Sequence, residues 1–101
     1  MTDIKLELNE KQHGGFNLYE EGTKIGEMVI SIAPQVLTVY HTEVNESAAG
    51  KGYAKQLLDT MVAYVRQHNL KVKPLCPYVH AQFKRHPDEY TDIWQKKEGE
   101  E

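Results

Sequence analysis

The 101-residue chain contains a single cysteine, Cys76, and has no long run of apolar residues. One cysteine cannot form a disulfide within the chain, and a free thiol is typical of a reducing cytoplasm, which is therefore the expected location. The longest apolar runs, such as residues 28–30, are far shorter than the roughly 20 residues that cross a bilayer, so we expect no membrane span. The first residues carry acids in place of an apolar stretch, and we expect no secretory signal.

Length and charge narrow the class of protein further. A chain of 101 residues is predicted to form one domain over residues 1–101, and we expect a monomer. Its hydrophobic fraction of 40% is that of an ordinary folded protein, which excludes disorder and a fibrous repeat. The net charge of −3 conceals an uneven distribution, since residues 51–86 contain seven Lys and Arg but only one Asp. A cationic segment in an acidic protein indicates a localised anionic ligand and argues against nucleic acid as the partner.

The first half of the chain alternates apolar and polar residues, which predicts strands. Ile4, Leu6 and Leu8 have the period of two that a half-buried strand requires. Gly14 and Gly15 favour a turn before the second strand, because glycine adopts the positive φ that turns use. The predicted strands cover residues 4–8, 16–20, 24–33 and 36–44, and the first turn covers residues 11–15.

The period changes after Asn45. Apolar residues spaced along one helical face predict a helix over residues 53–68, with Asn69 as its left-handed stop. Residues 72–76 are predicted as a short strand parallel to the fourth, since a long helix joins the two. Further short helices are predicted over residues 78–85 and 87–94, with a charged tail at residues 95–101. The expected class is α+β: a mostly antiparallel sheet with one parallel strand–helix–strand unit and covering helices.

A glycine-containing turn links the fourth strand to the long helix. Residues 47–54 have the sequence S-A-A-G-K-G-Y-A, with Gly50 and Gly52 just before the helix. Glycines let backbone N–H groups approach a ligand closely, and the partly positive helix N-terminus points at the same place. Such a turn favours a phosphate or pyrophosphate, although it is neither a Walker A loop nor the dinucleotide fingerprint. An ordinary tight turn is the competing interpretation.

This x-x-G-x-G/A turn between two parallel strands resembles the acyl-CoA site of the GNAT superfamily of N-acetyltransferases, whose pattern is Q/R-x-x-G-x-G/A. With the segments Y-H-T-E-V at residues 40–44, P-L-C-P-Y-V at 74–79 and K-R-H-P at 84–87, the chain is similar to the small, minimal GNAT-like subfamily. Ser47 departs from the pattern, which has Gln or Arg there. The resemblance implies the minimal GNAT-like acyl-CoA N-acyltransferase fold, with acetyl-CoA (coenzyme A) as cofactor and an unknown amine, either a small molecule or a protein, as acceptor. It assigns cofactor binding to Glu43, Val44, Ala49, Gly50, Lys51, Gly52, Tyr53 and Ala54.

Basic residues beyond the turn form a second candidate contact with the cofactor. Lys84 and Arg85 are predicted as part of a basic rim that reaches either the 3′-phosphate of CoA or an acidic substrate. Solvated side chains at a helix end are the competing interpretation. No metal site is predicted, because Cys76, His80 and His86 include no C-x-x-C pair.

Cys76 and His41 are the candidate catalytic residues. Cys76 is predicted at the carboxyl end of a parallel strand, where ligands bind in open sheets, and alternation places His41 on one face with Val39 and Glu43. A thiol beside an imidazole can form a reactive dyad. Cys76 could accept the acetyl group, protonate the departing CoA thiolate, or only line the site. Phe83 stands where the resemblance would place a tyrosine as general acid, so we hypothesise that Cys76 is acetylated with His41 as its base.

Three functions remain open at this point. The first is acetyl transfer from acetyl-CoA to an amine, and the second is a non-catalytic module that binds or senses CoA. Both predict CoA affinity, and turnover with amines separates them. The third is nucleic-acid binding through residues 51–86, which predicts steep salt dependence and no competition from CoA.

Overall fold

The computed structural model describes residues 2–95, which form a five-stranded sheet with the strand order β1-β2-β3-β4-β5. Successive strands pair antiparallel up to β4, and β4 pairs in parallel with β5, so the predicted fold class is confirmed. Among residues 2–95, no helix has both the length and the apolar character that a membrane crossing requires. The elements are β1 (Thr2–Leu8), β2 (His13–Glu20), β3 (Thr23–Ile32), β4 (Val36–Val44), a 3-10 turn (Glu46–Ala48), α1 (Tyr53–Gln67), β5 (Lys71–Pro74), α2 (Pro77–Arg85) and α3 (Pro87–Tyr90).

One hydrophobic core lies between the sheet and the three helices. The apolar stripe predicted for α1 is its buried face, and each such side chain contributes roughly 2 kcal/mol by burial. Asn69 ends this helix region with φ of 56°, the left-handed conformation that the sequence predicted. The opposite sheet face is open, since the residues that alternate with the buried ones are exposed or half-buried. The core includes Phe16, Leu18, Met28, Ile30, Leu37, Val39, Leu57, Leu58, Met61, Val65, Val72, Val79 and Phe83.

The two glycines predicted as a turn lie instead within β2, which begins at His13, so that prediction is wrong. A Cβ atom at Gly14 would lie 1.9 Å from the carbonyl oxygen of Glu7 on β1. Glycine is therefore required because two backbones approach closely, a reason that a single segment of sequence does not display. The turn itself uses Asn9, whose Oδ1 accepts the backbone N–H of His13 at 3.1 Å, and Gln12 at φ 63°.

The chain after β5 differs from the prediction in two places. β5 ends two residues earlier than expected, and Cys76 is the N-cap of α2. α3 ends at Tyr90 and does not continue to Trp94, because the chain turns back along the free edge of β5. There the N–H of Val72 donates to the carbonyl of Ile93 at 2.6 Å, so strand pairing replaces the predicted helix. The predicted tail, apart from its first residue, lies outside the described residues.

Candidate functional site

A β-bulge in β4 separates the end of this strand from β5. Val29 of β3 pairs with His41, and the next residue of β3 pairs with Val39, so Tyr40 is an extra residue on β4. The parallel pairing with β5 ends at Val39, whose carbonyl also accepts the N–H of Cys76 at 2.9 Å. Within residues 2–95, β4 then continues to its end without a partner on that side. The strands therefore diverge and leave a gap.

A cleft of about 320 Å³ lies at the end of this gap, where α1 begins. A wider cleft of about 540 Å³ lies against β1 and the β2–β3 turn, but no helix begins there. The smaller cleft has the features that a ligand site needs, because four elements converge on it. Its lining residues are Val44, Ala48, Ala49, Gly50, Gly52, Tyr53, Ala54, Lys55 and Tyr78.

Most of the residues predicted to bind a cofactor meet in this cleft. Lys51 is exposed between the two glycines and does not line it, and Glu43 lies on the open face of the sheet. The predicted residues that do line the cleft are Val44, Ala49, Gly50, Gly52, Tyr53 and Ala54.

The start of α1 presents positive charge to the cleft. Gly50 and Gly52 have left-handed backbones, with φ of 82° and 79°, and a Cβ at either would meet nothing within 4 Å. Gly52 caps α1 without any side-chain hydrogen bond, and the first turn contains no acid. The first N–H groups of α1 have no acceptor within the helix and carry its partial positive charge. Lys55 adds a full charge, held 2.8 Å from Asp59. A phosphate group fits this arrangement.

Two tyrosines place phenol groups at the cleft. The Tyr53 hydroxyl donates to Glu20 at 3.2 Å, and partial burial together with this hydrogen bond raises the pKa of Tyr53. Burial also raises the pKa of Tyr78, which lies in the first turn of α2. Both phenols therefore stay protonated at neutral pH. Tyr78 is a site residue that the sequence pattern did not predict. Pro77 could have indicated its role, because proline is favoured at the first position of a helix. A helix that begins at Pro77 has Tyr78 in its first turn, close to the end of the preceding strand.

The structure separates His41 from Cys76. The bulge reverses the alternation after Val39, which is buried, so His41 and Glu43 are exposed on the open face. The prediction that His41 shares a face with Val39 is therefore wrong. His41 Nε2 lies 3.3 Å from Glu43 Oε1, while the thiol of Cys76 is buried and lies 3.3 Å from the hydroxyl of Thr42. The two predicted catalytic side chains thus have different partners, and Thr42 was not predicted as a site residue.

Lys84 and Arg85 lie in the last turn of α2 and are exposed. The same helix meets the cleft at Tyr78, near its other end. With a rise of about 1.5 Å per residue, Lys84 lies roughly 9 Å further along the helix axis. Neither basic residue lines the cleft.

A family model described as GCN5-related N-acetyl-transferase matches residues 15–93. The chain belongs to this family. The matched range contains every residue that lines the cleft. Membership in this family confirms the resemblance that was inferred from the glycine-containing turn and the segments around it.

Solved structures of the same family share the fold. A GCN5-like protein from Staphylococcus aureus, solved by NMR, is 24% identical with a TM-score of 0.68, and the match covers 96% of this chain and 91% of that one. The ribosomal-protein-alanine N-acetyltransferase from Brucella melitensis is 19% identical with a TM-score of 0.62, over 87% of this chain. A GNAT family acetyltransferase from Elizabethkingia anophelis, solved with acetyl-CoA bound, is 14% identical with a TM-score of 0.58, over 77% of this chain.

Two of these relatives are longer than the chain. The match spans 65% of the Brucella enzyme and 53% of the Elizabethkingia enzyme, less than two thirds of either. A search of curated protein sequences finds no match. At these low identities the likeness establishes the fold.

Proposed function

We propose that the chain is an acetyl-CoA-dependent N-acetyltransferase and that the cleft at the start of α1 holds the CoA pyrophosphate. The observation that carries the proposal is the N-terminus of α1, which has no side-chain cap and opens into the cleft directly after two left-handed glycines. The backbone N–H groups of residues 50–54 would hold the phosphates, with Lys55 adding charge. Bound acetyl-CoA supplies an acetyl thioester, the acyl donor that the family uses.

The proposed reaction is direct transfer to an amine. The amine nitrogen forms a bond to the acetyl carbon, the carbon–sulfur bond breaks with its electron pair on sulfur, and the nitrogen releases one proton. The divergence of β4 from β5 supports this route, because the gap is bordered by the cleft on one side and by the open sheet face on the other. The chain's contribution is then largely positional, since orienting two reactants lowers the entropic part of the barrier.

Tyr78 is the residue that we assign to protonate the departing sulfur. It lies two residues after Cys76, in the first turn of α2 beside the gap, and its raised pKa keeps the phenol protonated at neutral pH. Phe83 has no hydroxyl and is fully buried against the ring of Tyr90 at 4.7 Å. Tyr78→Phe should lower kcat by on the order of 100-fold while leaving acetyl-CoA affinity near that of the wild type. An unchanged kcat would refute this assignment.

A covalent route through acetyl-Cys76 is the second candidate. Cys76 follows the end of β5, next to the gap, which keeps its thiol near the place where a thioester would lie. Against this route, the hydrogen-bond partner of the thiol is the hydroxyl of Thr42, which is not a base at neutral pH. Mass spectrometry of the intact protein after incubation with acetyl-CoA separates the two routes. An acetyl adduct that is lost in Cys76→Ala supports the covalent route, and turnover without an adduct supports direct transfer.

The test of the whole proposal is an amide NMR titration with acetyl-CoA, followed by a thiol-release assay with a panel of amines. The control ligand is an acetyl thioester that lacks the pyrophosphate. We expect acetyl-CoA to shift amides at residues 43–55 and near Tyr78, and the control ligand to bind far more weakly. Binding without turnover would indicate the sensing module, and an unchanged spectrum would remove both functions.

A further inference from the structure

We propose that the chain forms a symmetric dimer in which β1 of one copy pairs antiparallel with β1 of a second copy. The two five-stranded sheets then join edge to edge into one continuous sheet. This interface lies at the opposite end of the sheet from β5, and the dimer is independent of whether acetyl transfer occurs. It replaces the monomer that chain length alone led us to expect.

The strand β1 is a free edge of the sheet. It is terminal in the strand order, and within residues 2–95 its backbone pairs with β2 alone. A row of outward N–H and C=O groups without partners is a template for a further strand. The other edge, β5, has four residues and is partly paired with Ile93 and Gln95, whereas β1 has seven. With one long free edge on each copy, pairing ends at two copies.

The core-facing side of β1 is incompletely covered. Ile4, Leu6 and Leu8 pack against the core but are only half-buried. Phe16 and Leu18, on the same side of β2, are buried. The helix α1 packs mainly on β2, β3 and β4, so the apolar side chains of β1 lie beyond its margin. A second β1 alongside the first would cover them, and removing apolar surface from water is the main favourable contribution to association.

The open-face side of β1 has charged groups available to a second copy. Glu7 is held in place, because its Oε1 accepts hydrogen bonds from the Asn17 amide at 2.7 Å and the Tyr19 hydroxyl at 2.6 Å. Within residues 2–95, its Oε2 has no hydrogen-bond partner. The ammonium of Lys5 lies 5.4 Å from the ring centroid of Tyr19 and forms no ion pair with a carboxylate of the described chain. An oriented carboxylate and an ammonium group are therefore both exposed at the edge.

Both patterns match when the two-fold axis passes through Leu6. Lys5 of each copy then lies opposite Glu7 of the other, which gives two ion pairs on the open face. On the core-facing side Leu6 lies opposite Leu6, and Ile4 of each copy lies opposite Leu8 of the other. Side chains that are directly opposite in antiparallel strands have Cβ atoms about 5 Å apart, which is within reach of both kinds of contact.

The neighbouring registers match less well. Side chains on one face of both copies can be opposed only if the axis moves by a whole residue, to Lys5 or to Ile4. An axis at Lys5 sets two ammonium groups against each other. An axis at Ile4 keeps two ion pairs, through Asp3 and Lys5. It also sets Thr2 opposite Leu6, so that two of the three apolar pairs are lost.

The test measures the dissociation constant of the dimer by sedimentation over a series of protein concentrations. Lys5→Glu sets acid against acid, and Glu7→Lys sets base against base, so each should weaken the dimer by roughly tenfold or more. An equal mixture of these two variants should recover dimers, because positions 5 and 7 are both acidic in one copy and both basic in the other. Mixing does not repair a misfolded variant. Lys73→Glu is the matched control, since Lys73 is an exposed lysine on β5, and it should dimerise like the wild type.

Four results would contradict the proposed interface. A wild type that stays monomeric up to about 1 mM overturns it. Dimers that persist in both single variants, or that Lys73→Glu weakens equally, overturn it because another surface then joins the copies. Failure of the mixture to recover dimers overturns it as well. Loss of dimers in Asp3→Lys together with their persistence in Glu7→Lys overturns the axis at Leu6 and indicates an axis at Ile4.

Discussion

Replacing Gly52 by alanine should weaken acetyl-CoA binding far more than its small effect on folding stability would explain. At φ of 79°, an alanine costs about 1–2 kcal/mol of unfolding free energy, because its Cβ crowds the following carbonyl. The new Cβ meets no protein atom within 4 Å, so no further destabilisation follows. Its methyl group instead occupies space at the cleft. Losing one backbone hydrogen bond to a charged phosphate costs about 1.5–3 kcal/mol, which is roughly a 10- to 150-fold loss of affinity.

Gly22 provides the matched control for this variant. It lies in the turn between β2 and β3 with φ of 85°, and a Cβ there also meets nothing within 4 Å. Gly22→Ala should therefore lose the same stability as Gly52→Ala and keep the affinity of the wild type. Urea unfolding measures the first quantity, and calorimetric titration with acetyl-CoA measures the second. Equal affinities in the two variants would refute the placement of the pyrophosphate.

Three further predictions concern the fold. Gly14→Ala should lower the free energy of unfolding in urea by about 3 kcal/mol or more, since its Cβ would lie 1.9 Å from a β1 carbonyl oxygen; a loss under about 1 kcal/mol would contradict the close approach. Burial and the hydrogen bond to Glu20 raise the pKa of Tyr53 above 10.0, so the protonated phenol stabilises the fold below that pH and the stabilisation is lost above it. Tyr53→Phe should therefore flatten the fall of the melting temperature at alkaline pH. An identical fall in the variant would disprove this contribution of Tyr53. Arg66 lowers the pKa of Asp92 through hydrogen bonds of 3.0 and 3.1 Å, so this ion pair stabilises the fold above pH 3.8 and stabilises it less as the pH falls. Because the pair is exposed, Asp92→Asn should lower the free energy of unfolding in urea at pH 7 by less than about 1 kcal/mol. A larger loss would contradict the weak contribution expected of an exposed pair.

The sequence predicted the elements whose pattern repeats over many residues. The stripe from Leu57 to Val65 specifies one helical face, and a helix of that length between two strands requires a parallel crossover. Gly14 shows where such reasoning ends. A glycine pair after a polar segment has the composition of a turn. Here, however, glycine is required because the backbone of a neighbouring strand lies too close for a side chain. That close approach depends on how two separate segments pair, which the local composition does not show.

The turn of the candidate site was predictable from the sequence, whereas the relative positions of His41 and Cys76, the two residues predicted to be catalytic, were not. Gly50 and Gly52 need a conformation that only glycine adopts readily, so their spacing before a helix has local meaning. The facing of His41 depends on whether one residue of β4 is left unpaired against β3. A strand of β-branched and aromatic residues has the same composition with or without a bulge, so alternation alone assigns the wrong face beyond it.

The bulge at Tyr40 determines several properties of the site together. Without it, β4 would continue its alternation, and His41 would lie on the buried face in the place of Thr42. An imidazole there would need a hydrogen-bond partner within the core, at a cost of about 1–3 kcal/mol if none were found. The extra residue avoids this cost by turning the hydroxyl of Thr42 toward Cys76, and it leaves Tyr40 on the open face. The same irregularity coincides with the end of the β4–β5 pairing, so the gap and the facing of Thr42 toward Cys76 have one structural origin.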